Sequence, residues 1–258
     1  MNIVLFLHGK AGSGKDTFIQ TMKFVSKFLK DDRDANYAKK ELFTTELKSL
    51  FSGMPSEFDV GSPINIVSFN EGVYRETCRI NPNIDIHLLK SDYKYKAQYR
   101  ELMVQIGDGY RLENPRIWID EHLKDLETVL ATRDNQFIIT PCLRYRNELE
   151  YCGDLNKKFQ GQLLSFSVRI KASLPSRLQR MSKEGIISYM TFAKNNNSET
   201  DLDNTPDSAF DCIIDNDDNY GEHNVVGDDG KLVLENKLVR KFTPHVMPFY
   251  RLLDKVKG

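Results

Sequence analysis

The chain has 258 residues, of which 36 are basic and 37 acidic, for a formal net charge of −1. That length can bury one substantial core, with or without an inserted lobe, and the balanced charge excludes a global electrostatic footprint for nucleic acid or an anionic membrane. Four cysteines, Cys78, Cys142, Cys152 and Cys212, form no CxxC pair. That spacing argues against a zinc site or a disulfide scaffold, and a reducing cytoplasm is the expected setting.

Residues 1–7 lack the basic flank of a signal peptide and run straight into Gly9-Lys10. Within them Ile3 to Leu7 is a continuous apolar run, as expected for a parallel strand covered on both faces. No other apolar run approaches the ~20 residues that span a bilayer, so a soluble protein with no membrane partner is expected. From Asp16 to about Leu29, Phe18, Met22, Val25 and Leu29 recur at helical spacing. The order is strand, glycine-rich loop, helix. Residues 31–40 carry dense mixed charge and read as a solvated helix end and loop.

Residues 51–83 collect Gly53, Pro55, Gly61, Pro63 and Asn81-Pro82-Asn83, and read as an irregular lobe. Tyr95, Tyr99, Leu102 or Met103, and Ile106 then lie at helical spacing, with Gly107-Asp108-Gly109 as the stop. A second helix follows Asn114-Pro115 through Ile119, Leu123, Leu126 and Leu130. Phe137 to Thr140 is a strand, residues 147–159 a crossover helix, Leu163 to Ile170 a strand and residues 174–183 a helix. Residues 195–207 are polar and loop-like, and Phe210 to Ile214 is the fourth strand. A hairpin around Asp228-Asp229-Gly230 and a closing helix over 246–256 end the chain. Strands alternating with helices imply a three-layer α/β/α fold with a mostly parallel sheet and ligands at the carboxyl ends of its strands. The inserted lobe spans about residues 51–115 and a lid about 171–205.

The loop Gly9-Lys10-Ala11-Gly12-Ser13-Gly14-Lys15-Asp16-Thr17 carries the chemistry. Phosphates need converging backbone N–H groups and a cation, and glycines permit the close approach. Gly9, Gly12 and Gly14 supply that freedom, and Lys15 the cation. The match to G-x-x-x-x-G-K is complete, but Asp16 stands where Ser or Thr usually binds Mg²⁺, with Thr17 after it. Asp16 either complements the helix dipole or, with Thr17, helps to hold Mg²⁺ against the phosphates of ATP. Motor and helicase classes want an apolar strand ending in Asp-Glu, whereas the second strand ends Thr140-Pro141-Cys142. A GTPase wants Asn-Lys-x-Asp, and neither Asn156-Lys157 nor Asn236-Lys237 is followed by Asp at that offset. A kinase for an anionic acceptor wants arginines from several segments. Arg100 and Arg144 are candidates by position, and Arg177 and Arg180, three apart on one helical face, suit a lid over ATP.

These motifs resemble those of the deoxynucleoside monophosphate kinases of tailed bacteriophages. The loop with its Asp16-Thr17 is similar to that family's Gly-Lys-x-x-Ser-Gly-Lys-Asp-Thr. Arg100-Glu101-Leu102-Met103-Val104-Gln105-Ile106-Gly107-Asp108 resembles its Arg-x-x-Leu-Gln-x-x-Gly-Thr-Asp, with Trp118 following at a similar distance. Residues 138–148, with Arg144 and Glu148, resemble its strand-Asp-x-Arg-x-x-x-Glu element, and Ser198-Glu199 and residues 213–216 its Ser-Glu loop and last strand. The resemblance implies transfer of the ATP γ-phosphoryl to a deoxynucleoside 5′-monophosphate in the host cytoplasm, during phage deoxynucleotide synthesis. Lys15, Asp16 and Thr17 would handle ATP·Mg²⁺, and Arg100 and Arg144 would grip the acceptor phosphate. Trp118 would stack near the base, and Glu148 would orient Arg144 or the sugar. Cys142 stands where the family has Asp and Asp108 where it has Thr, departures that bear on acceptor specificity. Two other readings stay open: a kinase for another phosphorylated metabolite, phosphomevalonate being one, and a DNA-associated ATPase. A homodimer is also left open.

Overall fold

The computed structural model describes residues 2–31, 64–132, 136–194 and 196–217, together with Phe242, His245, Val246, Pro248 and Phe249. All but the first residue of the expected helix end and loop at 31–40, the first part of the lobe up to residue 63 and the hairpin at 225–234 lie outside the described residues. So does most of the closing helix, although Val246, Pro248 and Phe249 are helical.

The strands β1 (Asn2–His8), β2 (Asn65–Ile66), β3 (Phe137–Leu143), β4 (Leu163–Lys171) and β5 (Cys212–Asp215) form one parallel sheet in the order β2-β3-β1-β4-β5. Alternation along β1 sends Ile3, Leu5 and Leu7 to one face and Val4 and Phe6 to the other. The first set packs with Phe18, Ile19 and Met22 of α1 (Lys15–Asp31) and with Phe242, Val246 and Phe249. Helices α2 (Asn70–Ile80), α3 (Ile86–Ser91), α4 (Tyr93–Gln98), α5 (Arg100–Glu113), α6 (Ile117–Leu130) and α7 (Arg146–Lys158) precede β4, and α8 (Leu174–Gln179), α9 (Lys183–Ser188) and α10 (Asn197–Thr200) follow it. The second face of the sheet takes Ile119 and Leu126 from α6 and Tyr151, Cys152 and Leu155 from α7. Helices therefore cover both faces of the sheet, as the sequence pattern implies. Among the described residues, no helix is long and apolar enough to cross a membrane.

Four expectations fail locally. Part of the segment expected to be irregular contains the edge strand β2 and the regular helix α2. The breakers on either side, Gly61 and Pro63 before it and Asn81-Pro82-Asn83 after it, obscure that helix, and its own Gly72 is required by packing, since a Cβ there would lie 2.7 Å from Cε3 of Trp118. The triplet Gly107-Asp108-Gly109 does not stop α5, which runs on to Glu113. Each interior glycine costs a helix about 1 kcal/mol, but Trp118 Nε1 donates to Gly107 O at 2.9 Å and fastens that turn. Val73, Tyr74, Ile84, Leu89, Met103, Ile106 and Trp118 form a third cluster among α2 to α6. The helix expected over 174–183 is broken into α8 and α9, and the loop expected over 195–207 includes α10.

Strand β3 has one irregularity that matters for the site. Phe6 pairs with Thr140 but His8 with Leu143, so two steps on β1 match three on β3. The extra residue falls at Pro141-Cys142, where proline has no N–H to give the ladder. The bulge re-aims the chain beyond it, including Arg144.

Gly72→Ala should lower stability by about 1–3 kcal/mol through overpacking against Trp118. Gly153→Ala in α7, where a Cβ meets nothing within 4 Å, should raise it by about 0.5–1 kcal/mol. Urea unfolding of the two variants beside the parent checks both signs.

Candidate anion-binding site

The carboxyl end of β1 runs into residues 9–14, and α1 begins at Lys15. Gly12 and Gly14 adopt φ of 76° and 103°, a region that side chains rarely enter. Space forbids a side chain as well: a Cβ on Gly12 would meet Arg177 O at 2.8 Å, and one on Gly14 would strike the Asn216 amide. Successive loop carbonyls are engaged by donors from around the site. Lys15 Nζ donates to Gly9 O, and to Lys10 O at 3.1 Å. Arg177 Nη1 donates to Ala11 O at 3.2 Å, Arg180 Nη1 to Gly12 O at 3.4 Å, and Asn216 Nδ2 to Ser13 O at 2.7 Å. With its carbonyls held in this way and the positive end of the α1 dipole beside it, the loop is suited to receive an anion.

The expected lid arginines thus meet the loop from its carbonyl side. Arg177 is 5% exposed and stacks over Tyr189 of a π-helical turn (Tyr189–Ala193). Arg180 also donates to Asn216 O at 2.6 Å. Lys15 is half-buried, and burial followed by the nearby Arg144 charge lowers its pKa to about 8. Asp16 is exposed and Thr17 half-buried, side by side in the first turn of α1. His8, behind the loop, is pushed down to about 4, mainly by burial. It is therefore neutral at ordinary pH, with the proton on Nδ1, which bonds Leu143 O at 3.0 Å.

Arg144 follows the β3 bulge and enters this region from the neighbouring strand. Its guanidinium pairs with Glu199 and donates from Nη1 to Ser198 O at 3.3 Å. Burial opposes the arginine's charge most strongly, but Glu199 together with the other groups around it, Glu148 among them, raises the pKa. Burial likewise pushes the Glu199 carboxyl up, yet Arg144 and Lys15 hold it below its ordinary value. The same carboxylate accepts from Ala11 N at 3.4 Å, and so touches loop and arginine at once.

Glu148 does not touch the Arg144 guanidinium that it was expected to orient. It is the N3 residue of α7 and accepts from the backbone N–H of Arg144 at 2.7 Å and of Tyr145 at 3.2 Å. Its other oxygen accepts from Arg111 Nη2 at 3.3 Å. Burial raises its pKa despite those donors. Arg111 lies 3.9 Å over the Tyr145 ring, whose hydroxyl donates to Asp108 at 3.0 Å. Asp108, Arg111, Glu148, Arg144, Glu199 and Lys15 thus alternate in sign from the helical lobe to the loop.

Arg100 sits at the start of α5, on the same stripe as Arg111 but about 16 Å away along the axis at 1.5 Å per residue. The arginine of that helix which reaches Glu148 is Arg111. Trp118 is 4% exposed, packed on Gly72 and near Tyr110, with no open ring face to offer a base. Sequence reasoning named Ser198-Glu199 only as a resemblance and missed Arg111. The i, i+3 spacing of Asp108 and Arg111 was the available signal.

A cleft of about 610 Å³ adjoins the loop at the ends of β1, β4 and β5, lined in part by Lys10, Arg169, Lys171, Asp203 and Asp207. Its charges pair: Lys10 with Asp203 at 2.7 Å, and Arg169 and Lys171 with Asp207 at 3.1 and 2.8 Å. Among the described residues, no group of three or more His, Cys, Asp or Glu could hold a metal. A scan against protein-family models found no match, and neither did a search of curated proteins.

Glu148→Ala should cost about 3 kcal/mol, because it strands two backbone donors and Arg111. Glu148→Gln keeps the acceptor for the backbone and should cost roughly half as much. Chemical denaturation of both variants checks the order.

Proposed function

We propose that this chain is a P-loop phosphotransferase that moves the γ-phosphoryl of ATP to a deoxynucleoside 5′-monophosphate. The observation that supports it most is the convergence, at the carboxyl ends of adjacent parallel strands, of a glycine loop with Lys15 and of a half-buried Arg144. One part suits a donor triphosphate, and the other suits a second phosphate facing it. The motif resemblance to bacteriophage deoxynucleoside monophosphate kinases names the acceptor class.

In such a reaction an anionic oxygen of the monophosphate attacks the γ-phosphorus in line. The bond to the β,γ-bridging oxygen breaks, and ADP leaves with the electron pair. The acceptor oxygen is already ionised near neutral pH, so no general base is required. Lys15 would neutralise the β- and γ-oxygens and Arg144 the acceptor phosphate, so that catalysis rests on positioning and charge. Mg²⁺ commonly takes one or two protein oxygens and completes its shell with substrate phosphates and water. Asp16 and Thr17 offer two such oxygens beside the loop. The adjoining cleft has the volume for a nucleoside portion.

The assay is ADP release from ATP·Mg²⁺ with dAMP, dGMP, dCMP or dTMP. One or more should be phosphorylated, and failure with all four overturns the acceptor assignment. Phosphorylation of a different phosphorylated metabolite would keep the fold-level reading and replace the substrate. Lys15→Ala should reduce kcat by about 100-fold or more while leaving monophosphate binding, which Arg144→Ala should abolish.

ATP affinity should also fall as pH rises through about 8. A bound triphosphate favours the charged amine and raises the Lys15 pKa, so above 8 binding must take up a proton that the free protein no longer carries. Titration calorimetry in buffers of different ionisation enthalpy reads that uptake directly.

A further inference from the structure

The bonds of the Glu199 carboxylate are those an oxyanion would make in the same place. One oxygen accepts from the backbone N–H of Ala11, inside the glycine loop, and the other pairs with the Arg144 guanidinium. The loop belongs to the end of β1 and Arg144 to the end of β3, so a single carboxylate bridges the two walls of the site. It is 7% exposed, so its charge is met by protein groups rather than water.

We infer that Glu199 is an internal stand-in for the phosphoryl group, and that its pairing with Arg144 and Ala11 and the binding of a phosphate between the same two walls exclude each other. The inference rests on the phosphotransferase reading and deepens it by locating the position between donor and acceptor. Two anions cannot share one guanidinium and one N–H in a poorly solvated site without mutual repulsion. A phosphate offers more oxygens than a carboxylate to the lysine, the arginine and the loop, so it can displace Glu199. Until it does, Arg144 stays paired and ordered.

Displacement has a path through the fold. Glu199 belongs to the short α10, which follows the π-helical turn 189–193 and is capped by the Asn196 side chain. After α10 the chain is fastened: Leu202 is buried in the second cluster, and Arg169 donates to Leu202 O at 2.8 Å and to Thr205 O at 2.7 Å. Movement of Glu199 is therefore directed toward residues 174–194, whose Arg177 and Arg180 hold the loop carbonyls. A phosphate that expels Glu199 signals directly to the segment expected to act as a lid.

The test is the binding of inorganic phosphate and of pyrophosphate, without nucleotide and with EDTA present to remove divalent cations, measured by calorimetry on the full chain. Glu199→Gln preserves the shape and removes the competing charge. Both anions should bind that variant about tenfold more tightly than the parent, the equivalent of one hydrogen bond to a charged group. Unchanged or weaker binding overturns the inference, because a glutamate that merely positions Arg144 would be missed when lost. Absence of phosphate binding to both proteins overturns it too. Should the glutamine variant not fold, Glu199→Asp reads the same competition: its shorter stem cannot reach both partners, so binding tightens if they compete and does not if they do not. Failure of the four monophosphates as acceptors would sink the kinase reading but leave this measurement standing.

Discussion

All seven residues of β1 are withdrawn from water, and both of its edges pair with neighbouring strands. A strand enclosed in that way has one place to meet a ligand, its carboxyl end, and everything polar about the site is arranged around that point. The backbone leaving β1 must turn at once to start a helix. The turn leaves a run of peptide groups that can be satisfied only by side chains reaching in from other elements. Lys15, Arg177, Arg180 and Asn216 do this, and they come from α1, from α8 with the residue after it, and from the end of β5. The loop is therefore a product of the whole carboxyl edge of the sheet.

The second consequence of enclosure is electrostatic. Arg144 and Glu148 follow a proline bulge into the protein, and Glu199 meets them from a distant segment. Desolvation works against every one of these charges, so each sits between opposite neighbours. The two glutamates on Arg144 differ in a telling way: Arg144 and Lys15 hold Glu199 below its ordinary pKa, whereas burial lifts Glu148 above it. Glu199 faces the Arg144 guanidinium, whereas Glu148 holds the Arg144 and Tyr145 backbone N–H groups and the Arg111 guanidinium. Such networks are weak contributors to stability but strict about geometry.

The loop was legible because glycines, lysine and the flanking strand and helix are contiguous, so a local pattern carries the whole signal. Arg144 was legible from its place just beyond a strand. Arg111 and Glu199 were not legible in the same way, since their partners lie 37 and 55 residues away and only the fold unites them. Helix α2 was hidden by the breakers on either side of it, and it carries a glycine, Gly72, whose reason is the indole of Trp118 on another helix. Likewise Gly107 spelled an ending in the sequence and became an acceptor inside α5. In each case a residue chosen for a tertiary contact contradicted the local rule that would otherwise have read it correctly.

The parallel sheet also sets an order of events. β1 is made before the strands that flank it and stays unpaired until they follow: His8 bonds to Leu143, 135 residues on, and Asn2 to Gln162, 160 residues on. Contacts so distant along the chain carry a large loop-closure cost before they return anything, which slows folding. During synthesis the first strand must wait for β3 and β4 to emerge, with its apolar residues unpaired. The glycine loop is written before either strand that flanks β1, and it takes its shape only after both have arrived.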